Sequence, residues 1–344
     1  MKVGLSLSPS SSMSLTRGVG AYTRELLEAL KKNYPADQFL PLTKKSKGLD
    51  LIHYPYFDPF FLTLPLKRSA KTVVTVHDAI PLKFKDQFPP GVKGSLKLFL
   101  QKRALQTVDH VITDSVVSKA DLVEYLELKA DKITVIPLAP ALERSSATLA
   151  PKVKSEYRLP KRYILYVGDI NWNKNVPGLI RAFGKLESKT THLVLVGKVF
   201  SDQPQIPQYH EVIEAIEDSG KAKLIHQVGY VPQHHLPLFY RLATLYVQPS
   251  WYEGFGLPIL EAMYQGCPVL TSNRGSLPEV GGESVAYFDP GKPREFVKVL
   301  TELLGDSLRR QRLAAAGQTR SKKFSWTKTA SQTYEVYQRV LEQA

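Results

Sequence analysis

The chain has 344 residues, 43% of them hydrophobic, one cysteine and a formal net charge of +14. That length suits two domains of ordinary size, each with its own core. No run approaches the ~18 to 20 uninterrupted apolar residues of a transmembrane helix, and the N-terminus enters a strand pattern (Val3, Leu5, Leu7) instead of a signal peptide, so a cytoplasmic protein without a membrane span is expected. A lone Cys267 excludes disulfides within the chain and cysteine metal sites.

The positive charge predicts attraction to polyanions without choosing among nucleic acid, anionic lipid and phosphorylated substrates. Nucleic acid is not expected as a partner: there is no zinc-finger spacing, no RNA-binding aromatic motif and no single basic arm.

In chain order, the first half alternates a strand over 2–8, a helix over 20–32 with Tyr22, Leu26, Leu27 and Leu30 on one face, and strands over 49–53, 72–77 and 108–113. This is βαβ patterning and implies a mainly parallel sheet. A Pro, Ser, Ala and Lys-rich stretch over 139–160 reads as the linker. A second series follows, with strands over 163–168, 192–197, 223–228, 245–249 and 268–271. The expected architecture is α/β, two doubly wound, Rossmann-like parallel-sheet domains facing across a cleft, over 1–145 and 146–325. A helix from 326 to the C-terminus crosses back to the first domain in this reading.

Between Leu82 and Arg103 the chain carries Lys83, Lys85, Lys93, Lys97, Lys102 and Arg103 against Asp86 alone, interleaved with Phe84, Phe88, Leu96, Leu98, Phe99 and Leu100. Two readings stay open: a helix lying on an anionic membrane surface through residues 82–103, or a packed helix with a solvated lysine face.

Several loops follow strand ends, where ligands bind in open α/β sheets. His77, closing Val73-Val74-Thr75-Val76-His77-Asp78, could donate to a sugar or phosphate oxygen, or be an ordinary surface or core histidine. Arg17-Gly18-Val19-Gly20 could offer backbone amides to an anion, without the full dinucleotide fingerprint. In the second series, Gly168 opens the loop to Lys174, which could pair with a diphosphate or be a solvated loop lysine. Gly197-Lys198 and Gly229-Tyr230 end the next two strands.

The most informative stretch is Trp251-Tyr252-Glu253-Gly254-Phe255-Gly256-Leu257-Pro258-Ile259-Leu260-Glu261-Ala262. Gly254 and Gly256 allow positive φ and close ligand approach, while Pro258 suits the first helical position. The amides and positive dipole end of that helix would then face the turn, an electrostatic arrangement for phosphate with Glu261 in the first helical turn. The plain alternative is a helix start with a capping acid. There is no D-x-D, no H-x-x-x-H and no G-x-S-x-G in the chain, so metal and serine-nucleophile chemistry are not expected.

These residues together resemble the retaining GT-B glycosyltransferases of family GT4 over nearly the whole chain. The most specific match is the E-x7-E motif, Glu253 and Glu261. Gly18-Val19-Gly20, His77-Asp78, Ser115, Ile136-Pro137, Gly168, Lys174-Asn175, Val196-Gly197, Gly229-Tyr230-Val231 and Leu277-Pro278-Glu279-Val280 support it.

The resemblance implies that the second domain binds a nucleotide sugar and the first an acceptor. Glu261 would hold the ribose; the Gly254, Phe255, Gly256 and Leu257 amides with Lys174 would hold the diphosphate. Glu253 would read the donor sugar, His77 would contact it, Tyr230 would flank the base, and the Gly18 loop would lie by the phosphates or acceptor. One departure stands out: many relatives carry an arginine where this chain has Asp169 or Asn173, for which Arg17, Lys198 or Arg274 could compensate.

The resemblance further implies a metal-independent hexosyltransferase needing no cofactor beyond the donor itself. GDP-mannose is preferred as donor, then UDP-glucose; an acceptor on a lipid carrier or growing polysaccharide fits the basic, aromatic first domain, and the basic stretch over 82–103 is the ground for expecting the enzyme to be peripheral on the inner membrane face. An epimerase or phosphorylase of the same fold, or a non-catalytic basic binding module, are the alternatives.

Overall fold

A computed structural model describes residues 1–7, 18–43, 46–144 and 147–343. The chain divides into two compact units, Met1–Ala141 with Phe324–Ala344, and Leu142–Lys323. The division falls within the stretch over 139–160.

The first unit holds six parallel strands, β1 (Lys2–Leu5), β2 (Gln38–Pro41), β3 (Leu51–Tyr54), β4 (Lys71–Thr75), β5 (His110–Thr113) and β6 (Ile133–Val135), in the order β2-β1-β3-β4-β5-β6. The second holds β7 (Tyr163–Val167), β8 (His192–Val196), β9 (Ile225–Gly229), β10 (Leu245–Gln248), β11 (Val269–Ser272) and β12 (Ala286–Phe288), in the order β12-β11-β10-β7-β8-β9. Every strand pair is parallel. Helices cover both faces of such sheets, which is why the inner strands β3, β5, β7, β10 and β11 are buried at every position.

Strand order locates the crevices. A chain that winds outward one way from its first strand and then the other leaves a gap at the carboxyl ends where the direction reverses. In the second sheet this switch lies between β7 and β10, and in the first between β1 and β3.

The strand β2 was not expected from sequence. It is a short edge strand with one buried residue, Phe39, and it ends on a proline, so it carries neither alternation nor a hydrophobic run. The three-residue β12 escapes for the same reason of length and edge position.

The segment over 82–103 is not one helix. Ile80–Lys83 forms a single turn with Leu82 buried and Lys83 held by Asp121 at 2.8 Å, and a separate helix runs over Gly91–Gln106.

The last helix, Trp326–Glu342, is capped by the Ser325 side chain, which accepts from Lys328 N. It packs within the first unit: Tyr334 stacks on Tyr34 with ring centres 3.6 Å apart, and Tyr337 is fully buried. Its first residue donates from Trp326 Nε1 to Pro140 O at 3.0 Å. Among the described residues, no helix is long and apolar enough to cross a membrane.

Candidate active site

In the second unit the loops after β7 and β10 flank the switch point, and side-chain amides lace them together. Asn173 Nδ2 donates to Tyr252 O at 3.0 Å, Asn175 Nδ2 to Pro249 O at 2.9 Å, and Trp251 N to Asn173 O at 2.8 Å. Asn173, one of the two positions where the resemblance would put an arginine, is thus a buried clamp between the two loops. An arginine there would lose the short amide geometry.

The clamp delivers Lys174 to Glu253. The Lys174 ammonium lies 3.0 Å from Glu253 Oε1 and 2.8 Å from Oε2. Glu253 is 6% exposed, so its charge needs compensation on every side. It receives it: Ser250 Oγ donates to Oε1 at 2.6 Å and Gln248 Nε2 donates to the same oxygen at 2.9 Å. The Tyr246 hydroxyl donates to Gln248 Oε1, which fixes the amide with its nitrogen toward Glu253. Burial first, then Tyr166, Glu253 and Glu261, push the Tyr246 phenol well above its usual value, so it remains a donor.

The backbone of Glu253 is held as firmly. Ser276 donates to Glu253 O from both its backbone N, at 3.1 Å, and its hydroxyl, at 3.0 Å. Gly275 makes this approach possible: a Cβ there would stand 2.6 Å from Glu253 O and 2.7 Å from Glu253 N.

The turn that follows starts the helix Leu257–Tyr264. Gly256 precedes it with φ 93°, a conformation that favours glycine, and a Cβ at this position would meet Leu277 Cδ2 at 2.7 Å. Three details correct the sequence reading. Gly256 takes the positive φ and Gly254 does not; Leu257 is the first helical residue, with Pro258 second; and Glu261 is the fifth, in the second turn. Glu261 is buried and accepts from the Tyr240 hydroxyl at 3.0 Å. Gly254 and Phe255 are buried and Leu257 half-buried.

The remaining expected residues of this unit sit on neighbouring strand ends. Gly168, directly after β7, donates from its N to Val196 O at 2.9 Å. Lys198 follows β8 and lies 3.3 Å from Asp202, and Tyr230 follows β9 at 48% exposure. Arg274 pairs with Asp289 at 2.8 Å, and Arg17 lies outside the described residues.

In the first unit, Gly18 is exposed with φ 58°, at the N-cap of the helix Val19–Asn33. His77 lies just beyond β4, and its Nδ1 is 2.7 Å from Asp114 Oδ2, just beyond β5. Its Nε2 is 3.2 Å from Pro55 O, just beyond β3. A carbonyl only accepts, so the contact with Pro55 O puts a proton on Nε2, and an ionised Asp114 carboxylate accepts from a protonated Nδ1. Burial alone would lower the His77 value, but the charge and hydrogen bond of Asp114, with Asp78, outweigh it and hold the imidazole above its ordinary range. Burial also raises the Asp114 carboxyl, and His77 pulls it back only in part. Asp114 Oδ1 is buried and has no hydrogen-bond partner among the described residues.

Tyr22 meets the His77 ring edge-on at 4.9 Å, and its hydroxyl is 3.0 Å from Thr75 Oγ1. Thr75 is 2.8 Å from His53 Nε2, and His53 Nδ1 is 2.6 Å from the Tyr337 hydroxyl. Burial chiefly, with the charge of His77, pulls His53 down to about 3, so it stays neutral. Asp114, Gln248, Ser250 and Ser276 were missed from sequence. The available signal for Asp114 was that β4 and β5 are consecutive parallel strands, which places His77 and the residue after Thr113 side by side.

A model of the family described as glycosyl transferases group 1 matches residues 151–320, and one of Glycosyltransferase Family 4 matches residues 14–144. The Escherichia coli O-antigen chain mannosyltransferase B is 32% identical over 320 residues, 91% of this chain and 80% of that protein. The E. coli serotype-specific mannosyltransferase WbdA is 31% identical over 83% of this chain, which spans only 36% of that longer protein. Among solved structures, Anabaena HepE in complex with UDP superimposes with a TM-score of 0.74 at 17% identity, over 98% of this chain and 100% of that one. The chain belongs to the GT4-type glycosyltransferases, and its two six-stranded parallel sheets are those of the GT-B fold.

Proposed function

We propose that the chain transfers mannose from GDP-mannose, with glucose from UDP-glucose as the next choice, to a hydroxyl of a lipid-linked or polysaccharide acceptor in surface-glycan synthesis, with retention and without a metal. The carrying observation is the Lys174–Glu253 pair beside the N-terminus of the Leu257–Tyr264 helix, at the switch point between β7 and β10. The name of the E. coli relative favours mannose, and the UDP held by HepE keeps a uridine donor in play.

In this reading the second unit is the donor unit and the first receives the acceptor. A bound diphosphate competes with Glu253 for Lys174. As Lys174 turns to the phosphates, a Glu253 oxygen becomes available to a donor-sugar hydroxyl, while Ser250 and Gln248 keep the carboxylate in place. The helix amides and Lys174 then stabilise the charge that develops on the leaving diphosphate. That diphosphate accepts the proton of the incoming hydroxyl on the face it is leaving, so retention requires no enzyme nucleophile. Glu261 holds the ribose, and a donor-sugar hydroxyl competes with Pro55 O for the His77 Nε2 proton.

The test is a thermal-shift panel of GDP, UDP, dTDP and ADP and their sugars, with and without EDTA, followed by NMR of the product's anomeric configuration. A ligand that binds only the folded state raises its melting temperature. A selective, EDTA-insensitive shift with GDP and GDP-mannose and an α-linked product from the α-linked donor are expected. No shift with any nucleotide, or an inverted product, overturns the reading.

A further inference from the structure

We propose that the first unit docks on an anionic lipid bilayer through a composite face made by the helix Gly91–Gln106 and the loop over 59–69. This helix is apolar on two opposite sides. One stripe, Gly94, Leu98, Gln101 and Leu105, faces the unit, and Gln101 pins the loop: its Oε1 accepts from Leu64 N at 2.9 Å and Thr63 N at 3.0 Å, and its Nε2 donates to Leu64 O at 2.9 Å. The other stripe, Val92, Leu96 and Phe99, points outward and is bare, with Val92 90% exposed. The loop adds Phe61, Leu62 and Leu66, all more than half exposed. A helix apolar on a solvent side, joined to an exposed apolar loop, marks an interaction surface.

Charge selects the occupant. Residues 59–69 and 91–106 contain Lys67, Arg68, Lys93, Lys97, Lys102 and Arg103 and no Asp or Glu, although Lys102 is paired with Glu127 at 2.8 Å. The cations stand among the apolar tips: Lys97 Nζ lies 5.1 Å over the Phe61 ring and the Arg103 guanidinium 4.6 Å over Phe99. Long basic side chains that lie along aromatic rings can keep their heads at headgroup level while the rings enter the acyl boundary. A second copy of the chain would set like-charged lysines and arginines against one another, a repulsive pairing, and a nucleic acid would leave Val92, Leu62 and Leu66 in water. An anionic bilayer satisfies both the charge and the apolar tips. The face therefore comprises the 91–106 helix and a loop before β4, and not the Lys83 turn, whose ammonium is engaged by Asp121.

The experiment is flotation of the full chain with vesicles of phosphatidylcholine alone or mixed with phosphatidylglycerol, at low and high salt. It needs no donor, so its outcome is separate from that of the transferase reading. The wild type is expected to float with anionic vesicles at low salt and to be released by salt, because headgroup attraction falls off within a Debye length. Leu96→Asp with Phe99→Asp, and separately Lys93→Glu with Lys97→Glu, are each expected to lower binding roughly tenfold or more. Lys93, Leu96 and Phe99 are exposed and Lys97 is half-buried beside Phe61, so circular dichroism is used to establish that each variant keeps the wild-type fold. Failure of the wild type to float, equal flotation of folded variants, or a concentration-dependent dimer abolished by Leu96→Asp overturns the proposal.

Discussion

Each unit has its own sheet of six parallel strands and carries polar residues at that sheet's carboxyl edge, yet the two treat the buried charge there in opposite ways. In the second unit Glu253 is saturated: Lys174, Ser250 and Gln248 all donate to its carboxylate, and Ser276 holds its backbone. In the first unit Asp114 has one partner, His77, and its second oxygen is buried without a hydrogen bond among the described residues. A saturated carboxylate is a fixed fitting whose geometry survives small losses, whereas a carboxylate with a single partner depends on that partner's protonation. The difference teaches which site should respond to pH and which to the loss of a cation.

The largest effect is expected from Lys174→Ala. It strands the buried Glu253 charge and removes the cation assigned to the diphosphate, so kcat/KM should fall about 10²- to 10³-fold. Stability should drop by about 1–3 kcal/mol, below the cost of breaking a fully buried pair because Lys174 is 24% exposed. Steady-state kinetics with denaturant melts checks both. A folded variant with wild-type activity would mean that the ion pair is only structural.

A smaller and pH-dependent effect is expected from Asp114→Asn. The His77 value is raised in the folded state, so its contribution to stability is fully present below the ordinary imidazole value of about 6.5 and is lost as pH rises through the raised value. Without the Asp114 charge, burial dominates and the ring loses its second proton at lower pH. The melting-temperature gap between wild type and variant should thus be widest in mild acid and narrow as the solution becomes alkaline. Ring-carbon NMR titration of His77 should show a midpoint moved down. An unmoved midpoint would mean that Asp114 does not hold the proton, and the contrast between the two units would collapse.

How much of this was readable beforehand follows from the same contrast. The inner strands were readable because parallel strands buried on both faces leave near-continuous apolar runs such as Leu193-Val194-Leu195-Val196. The edges β2 and β12 were not, since three or four residues with one covered face leave no pattern. Glu253, Lys174 and Gly256 were visible because glycine and proline punctuate their turns. Their supports were not: Gln248 closes a buried strand and looks like any polar residue there, and Ser276 reaches Glu253 from 23 positions away. Asp114 lies 37 residues from His77, and only the adjacency of β4 and β5 unites them. Likewise the two-sided apolar character of the 91–106 helix was hidden, because sequence could not say which stripe the loop over 59–69 would cover.

The smallest expected effect tests whether saturation in the second unit is redundant. Ser276→Ala removes the hydroxyl that donates to Glu253 O at 3.0 Å but leaves the backbone bond to the same carbonyl at 3.1 Å. The acceptor therefore keeps a partner, and the cost should be near the net worth of one hydrogen bond, about 1 kcal/mol, instead of the full penalty of an orphaned buried group. With the Glu253 backbone still anchored and its carboxylate still bound by three side chains, kcat should change less than about threefold, a shift well under the 1.4 kcal/mol that a tenfold change requires. Chemical denaturation and kcat measured on the same preparation decide the matter. A large loss of kcat at small loss of stability would show that the position of the Glu253 backbone, and not the density of donors around its carboxylate, sets the geometry of this site.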